Sequence, residues 1–278
     1  MRIFFPVLSA RAIRLSLAAI MGTALFAVLF SAERMMQPIR LVNQHTAGVL
    51  PRANYSFETR IFASGDSAIP GNGLCAGMSV GITDRLNIGI SYGGDGIIGR
   101  GPARPNPYPG AFIKYRIIEE NYILPAMALG YDHQGSGGIQ NEDYKGFVYK
   151  SPGFFFSLSK SYLLFQSVQL GFHGGVNYSL EELNKVKWPD CFGGLDLNIN
   201  EELALAGEYD FALNVRDPHS RDYLHPLKGL LNAGVRWAFT PQFHLEFLAI
   251  DILQMRVNEN NRRLGWSREL RFTYINQF

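Results

Sequence analysis

Leu203-Ala204-Leu205-Ala206-Gly207-Glu208-Tyr209-Asp210-Phe211-Ala212-Leu213-Asn214 changes character at every step. Its odd positions, Leu203, Leu205, Gly207, Tyr209, Phe211 and Leu213, make one greasy face. Its even positions, Ala204, Ala206, Glu208, Asp210, Ala212 and Asn214, are small or charged. A period of two belongs to a strand that separates two different environments. Asn54–Ser64 and Leu74–Ile82 alternate in the same way. Twelve such stretches are expected, near 53–64, 73–82, 86–94, 109–118, 122–131, 146–159, 167–178, 190–198, 203–214, 229–239, 243–252 and 268–278. No amphipathic helix is evident after residue 50.

The links between these stretches carry more information than the strands. Thr83-Asp84-Arg85, Glu119-Glu120-Asn121, the region Lys160–Gln166, Ile199–Glu202 and Thr240-Pro241-Gln242 are short turns. Between them lie longer links rich in polar residues, Gly and Pro: Gly65–Asn72, Asp95–Tyr108, Asp132–Lys145, Ser179–Pro189, Val215–Lys228 and Leu253–Ser267. Short and long links alternate throughout. Transmembrane β-barrels have short periplasmic turns, long outer loops and an even strand number. A soluble β-sandwich also alternates apolar and polar residues, so three further features decide. The last strand places Leu270, Phe272, Tyr274 and the terminal Phe278 in one phase, which resembles the insertion signal of outer-membrane barrels. Tyr55, Phe57, Tyr115, Trp237, Phe239, Phe243, Tyr274 and Phe278 fall at one set of strand ends, and Tyr92, Tyr131, Tyr178 and Phe211 at the other, as two aromatic girdles. A secreted chain with two cysteines also needs a source of stability other than disulfides, and a closed barrel in lipid leaves no strand edge unpaired.

Composition agrees with this reading. The 278 residues are 47% hydrophobic and 18% charged, with 29 Gly and 14 Pro, too apolar for a disordered chain. Two cysteines exclude a disulfide-built fold and a four-cysteine zinc site. A net charge of +2 excludes a strong nucleic-acid footprint. Arg2, Arg11 and Arg14 precede the uncharged run Leu15–Ala32, the pattern of a secretory signal peptide over residues 1–32. The competing reading is an inner-membrane anchor, for which 18 uncharged residues are short. Without residues 1–32 the chain has 23 Lys and Arg against 24 Asp and Glu. Residues 33–52 are then a periplasmic leader or a plug, and residues 53–278 the barrel.

The inward positions are uneven. Gly73, Cys75, Gly77, Ser79, Gly81, Asn87, Gly89, Ser91, Ala126, Ala128 and Gly130 form a wall of mostly small side chains. Glu58 and Arg60 on the first strand, Glu208 and Asp210 on the ninth, Arg236 on the tenth, Glu246 on the eleventh and Arg271 on the twelfth form a mixed-charge wall. Barrel closure makes that wall contiguous. Lys114 and Arg116 add a basic spot, and His173 is in the same polar phase. These ten residues are the candidate lumen lining. They serve either as a structural ion-pair ladder or as a selectivity lining for a polar solute. Twelve strands about 4.8 Å apart and tilted about 40° give a backbone diameter near 24 Å and roughly 10 Å of open lumen.

Catalytic signals are weak. Gly77-Met78-Ser79-Val80-Gly81 has the letters of a nucleophile elbow, but Ser79 is mid-strand with no helix after it. Gly94-Asp95-Gly96-Ile97-Ile98-Gly99 has the letters of a dinucleotide fingerprint, but prolines follow, and it reads as a loop. His173 and His244 both face inward, whereas a barrel phospholipase needs its Ser–His pair on the lipid side. Cys75 and Cys191 lie six strands apart, too far for a disulfide. No catalytic residue, metal site or cofactor is expected.

Gly81-Ile82-Thr83-Asp84-Arg85-Leu86-Asn87-Ile88-Gly89-Ile90-Ser91-Tyr92, the stretch Lys114–Tyr131 and Ser157-Leu158-Ser159-Lys160-Ser161-Tyr162 resemble YjbH-like outer-membrane barrel proteins. The resemblance covers about a third of the chain. It implies a link to exopolysaccharide production or export and carries no catalytic residues. The chain is shorter than the longer members, and a matching fold need not carry a matching role.

The sequence therefore predicts an all-β fold: a single twelve-stranded antiparallel transmembrane β-barrel after an N-terminal signal peptide. Its location is the outer membrane of a Gram-negative-type bacterium. Its expected role is a non-enzymatic pore or accessory protein for polysaccharide or another hydrophilic solute. A plugged structural or surface-binding barrel is the alternative, and a membrane-embedded lipid hydrolase a third reading. Expected partners are outer-membrane lipid, the barrel-assembly machinery and polysaccharide or its export proteins, with no nucleic acid. Phe272, Tyr274 and Phe278 form the expected insertion signal.

Overall fold

The computed structural model describes residues 37–63, 71–99, 102–140, 146–164, 168–181, 188–215, 229–255 and 265–278. The expected signal peptide and most of the expected loop Val215–Lys228 lie outside them. The strands are β1 (Asn54–Ala63), β2 (Gly71–Gly81), β3 (Leu86–Gly99), β4 (Arg104–Pro105), β5 (Gly110–Ile118), β6 (Ala126–Asp132), β7 (Ser136–Gln140) and β8 (Gly146–Tyr149). They continue as β9 (Gly153–Leu164), β10 (Val168–Tyr178), β11 (Asp190–Asn198), β12 (Leu203–Asp210), β13 (Leu230–Ala238), β14 (Phe243–Ile250) and β15 (Ser267–Gln277). β1 pairs with both β2 and β15, and β2 pairs with β3, so the antiparallel sheet closes on itself. Twelve strands form the ring: β1, β2, β3, β5, β6 and β9 to β15. β4 pairs with β3 at its long-loop end, and β7 with β8 forms a separate two-stranded hairpin.

The period of two sorts side chains as the sequence predicts. Ile88, Ile90, Ile113, Leu129, Phe154, Phe172, Val176, Leu195, Val235 and Phe247 are exposed on the outside. Ser56, Arg60, Asn87, Lys114, Ser157, Gln169, Glu208 and Arg271 are buried inside. An apolar exterior around a polar interior inverts a soluble domain and is the signature of a barrel solvated by lipid. At the short-turn end, Tyr55 contacts Phe57, Tyr274 and Phe278, and Trp237, Phe239, Phe243 and Phe272 form a chain of ring contacts. These rings make up most of the predicted inner girdle. Phe278 also ties its backbone N–H to Ala53 O at 2.9 Å.

Four boundaries differ from the sequence reading. The stretch 146–159 is not one strand. β8 folds against β7, and the chain then turns at Gly153 before entering the wall as β9. Gly153 has φ +64°, and a Cβ there would lie 2.2 Å from Tyr178 O. Gly153→Ala is therefore expected to cost about 1–3 kcal/mol, from left-handed strain plus overpacking, read as a lower urea midpoint of the folded barrel. The stretch 122–131 begins as a strand only at Ala126, because Asn121 Oδ1 accepts from the N–H groups of Ile123 and Leu124 and holds a turn. The stretch 203–214 stops at Asp210, whose Oδ1 accepts from Ala212 N while Ala212 takes φ +50°. Gly94–Gly99 is strand rather than loop: β3 runs through it and pairs with β2 and β4.

Candidate functional site in the lumen

Residues 37–52 lie inside the barrel as a hairpin. Arg40 and His45 form its antiparallel bridge, Leu41 N donates to Gln44 O and Thr46 N donates to Ile39 O. Both legs reach the short-turn end, where Arg52 N meets Asp84 and Gln37 meets Glu120 and Ser161. Leu41, Val42, Thr46, Ala47 and Leu50 are buried to about 1% exposure or less. Buried backbone groups need partners, and here the barrel wall supplies them. Glu208 Oε2 accepts from Val42 N, Asn43 N and Gln44 N at 3.1, 3.0 and 2.9 Å. Lys114 Nζ donates to the carbonyls of Ile39, Thr46 and Gly48 at 2.8, 3.2 and 2.9 Å. Ala47 N donates to Ser159 Oγ, Leu50 N to Asn87 Oδ1, and Arg271 Nη2 to Val42 O. Asp132 accepts from Arg40 and His45 side chains, each at 2.8 Å.

A second hairpin, β7–β8, enters from the long-loop end. Arg60 Nη2 donates to Gly135 O at 2.9 Å. Val148 and Tyr149 pack with Val42, Ala212, Leu230, Leu248, Ile250 and Met255 in one buried apolar cluster, so the two hairpins meet there. Glu181 fastens the second hairpin by accepting from Phe147 N and Ser151 N at 2.9 and 2.7 Å. Burial raises the Glu181 carboxyl above its ordinary value, against those bonds, which lower it. Burial lowers the nearby Lys150 ammonium to about 8, against the charges of Glu181 and Asp190.

Beside the N-terminal hairpin runs a cavity of about 750 Å³. It reaches the short-turn end, where Asn200, Glu202 and Pro241 border it. Its charged wall is an alternating ladder. Arg60 Nε lies 3.5 Å from Glu269, and Arg271 reaches Glu269 at 3.2 Å and Glu246 at 2.9 Å. Arg236 pairs with Glu246, and Glu58 sits 4.0 Å from both Arg60 and Arg271. Gly77, Ser79, Gly89 and Ser91 continue the lining on the adjoining strands β2 and β3.

The ten candidate lining residues therefore divide. Glu58, Arg60, Arg236, Glu246 and Arg271 line the cavity together. Lys114 and Glu208 hold the hairpin, and Asp210 binds its Gln44. His173 lies between Ser159 and Asp196, away from the cavity. Arg116 keeps the phase of Lys114 but stands at the short-turn end of β5, where it clamps the turns through Asp84 O and Glu119. Ser79 of the elbow-like motif bonds Ser56. Sequence reasoning missed Asp132, Ser159, Asp196 and Glu269. Glu269 was two residues before Arg271 in the same phase, which is a signal that could have found it.

No protein-family model matches the chain, and no curated protein matches it. Solved structures do resemble it. A KdgM porin shares 6% identity, with 80% of this chain and 98% of that one covered at a TM-score of 0.43. The NanC porin shares 11% identity, with 81% and 98% covered at 0.41. An outer-membrane channel from Pseudomonas putida F1 shares 13% identity, with 87% and 100% covered at 0.40. The barrel assignment rests on the chain's own closed strand order.

Proposed function

We propose that the chain is an outer-membrane channel for small hydrophilic solutes, held closed by its own N-terminal hairpin. One observation carries this reading. The hairpin backbone is held by hydrogen bonds with polar wall groups, three donated to Glu208 and three accepted from Lys114, bonds that water can replace when the hairpin withdraws. A plug fastened by a broad apolar interface would have no such substitute. The cavity's mixed-charge ladder suits polar solutes of either sign and disfavours strong cation or anion selectivity. The resemblance to YjbH-like proteins favours a saccharide among such solutes. The short-turn end then faces the periplasm, in the outer membrane of a diderm bacterium.

Planar-bilayer recording of residues 33–278 tests this. The wild-type barrel is expected to be closed most of the time. Glu208→Ala removes the acceptor of three N–H groups. A hydrogen bond to a charged group contributes about 1.5–3 kcal/mol, and about 1.4 kcal/mol is a tenfold change in an equilibrium. The open fraction of Glu208→Ala is therefore expected to rise by about tenfold or more. A folded Glu208→Ala barrel as silent as the wild type would favour a second reading, a permanently plugged binding barrel. The apolar cluster joining Val42 to Val148 and Tyr149 is the feature that supports that alternative.

A further inference from the structure

We propose that Ser159, His173 and Asp196 form a hydrolytic site in the lumen, masked by the N-terminal hairpin and directed at short-chain acyl esters of hydrophilic molecules. The three residues stand at inward positions of the neighbouring strands β9, β10 and β11, and Ser159 is the register partner of His173. His173 Nε2 donates to Asp196 Oδ1 at 2.5 Å, which leaves Nδ1 to accept from the Ser159 hydroxyl at 2.8 Å. Asp196 Oδ2 accepts in turn from Asn198 Nδ2 at 2.6 Å. This is the order of nucleophile, base and orienting carboxylate that activates a serine. The arrangement depends on Gly171: a Cβ there would lie 2.1 Å from Asp196 Oδ1 and 2.7 Å from His173 Nε2.

The hairpin occupies the place a substrate would take. Its Thr46–Ala47 peptide unit lies between two wall groups, with the N–H on Ser159 Oγ at 2.9 Å and the C=O on Lys114 Nζ at 3.2 Å. One carbonyl-bearing unit thus spans the serine and a cation. With the hairpin withdrawn, an ester in that place has its carbonyl carbon near Ser159 and its oxygen facing the Lys114 ammonium. Ala126 and Ala128, which pack on Ala47, leave a small apolar niche, which limits the acyl group to a short one.

The chemistry balances without a redox partner. Ser159 Oγ forms a bond to the ester carbonyl carbon while its proton passes to His173 Nδ1. The tetrahedral oxyanion draws in the Lys114 ammonium, which withdrawal of the hairpin has freed from its three carbonyl partners. Collapse breaks the carbon–oxygen bond to the alcohol, which leaves with the proton from His173. Water then attacks the acyl-serine and gives its proton to His173. Carboxylic acid is released, and Ser159 regains its proton. Asp196 is a positioning residue that sets the tautomer of His173.

The inference rests on the reading that the hairpin withdraws, so the test separates access from reactivity. The full mature chain, folded in lipid vesicles with Glu208→Ala, is treated with a biotinylated fluorophosphonate, and the modified serine is located by mass spectrometry. The expected result is labelling at Ser159, at least a hundredfold slower when His173→Gln is added, and hydrolysis of 4-nitrophenyl acetate that disappears with Ser159→Ala. Asp196→Asn is expected to shift the pH profile of labelling, which a merely structural carboxylate would not do. Access is measured separately by reacting Ser159→Cys, in the same background, with a small water-soluble methanethiosulfonate. If that cysteine reacts while Ser159 is not phosphonylated, or is labelled equally with His173→Gln, the hydrolytic site is refuted and the channel reading stands. If the cysteine does not react, the withdrawal step is refuted and both fall.

Discussion

Deleting residues 38–50 will convert a mostly silent barrel into one with long-lived ohmic conductance steps in a planar bilayer. The deletion removes the chain segment that donates three N–H groups to Glu208 and accepts from Lys114 at three carbonyls and from Arg271 at one. Those wall groups are polar and are rehydrated by the water that enters, so the wall itself does not lose an apolar core. The twelve-strand ring keeps every backbone ladder, because the hairpin contributes no strand to it. The freed lumen is about 10 Å wide on the geometry of twelve tilted strands. The second hairpin, β7–β8, stays fastened through Glu181 and Arg60 and narrows the long-loop end. Recording with sugars added as blockers then reports which solutes enter.

Arg271→Ala will produce the largest loss of stability of any single substitution in the charged wall. Arg271 is 2% exposed and ties Glu246 and Glu269 together while donating to Val42 O of the hairpin. Removing it takes one of two cations from each of two buried carboxylates, leaving Glu246 with Arg236 and Glu269 with Arg60, and strands the Val42 carbonyl. Breaking one partner out of a buried ion-pair group typically costs about 3–5 kcal/mol. The expected readout is a lower urea midpoint of the heat-modifiable band on gels. Arg271→Lys keeps the charge but loses the forked donor geometry, and is expected to recover only part of the loss. Arg116→Ala makes the contrast. Its pair with Glu119 sits at the exposed turn, and exposed pairs contribute about 0–1 kcal/mol. A midpoint for Arg271→Ala equal to that of Arg116→Ala would show that the ladder carries no structural load.

The wall of the barrel was legible because it depends on local pattern. Leu203–Asp210 alternates by residue, and the turn at Thr83–Arg85 is closed by a Thr83 side chain that accepts from Arg85 N and Leu86 N. Both signals sit within a few residues. The contents of the lumen were not legible, for a physical reason. Residues 37–52 have no period, since their order comes from partners far along the chain, such as Glu208 and Arg271. The split of 146–159 was hidden because Phe147 and Tyr149 alternate as a wall strand does, although they are buried in the lumen with β7. Only Pro152-Gly153 marks the break. Charged residues were found by phase, which placed Glu58, Arg60, Arg236, Glu246 and Arg271 together. The Ser159–His173–Asp196 chain joins three strands by register, and a single strand's sequence holds no register information.

A reversible latch shows whether the N-terminal hairpin closes the lumen. A Cβ built on Gly234 lies 3.8 Å from Val42 Cγ2, within reach of a disulfide after a small shift of the Leu248 side chain. Val42→Cys with Gly234→Cys, placed in a Glu208→Ala barrel whose Cys75 and Cys191 are replaced, joins the hairpin tip to β13. No conductance is expected under oxidising conditions, and ohmic steps in the same membrane once reductant is added. Steps of equal size and frequency before and after reduction, with the disulfide verified by mass spectrometry, would mean that the hairpin does not close the lumen.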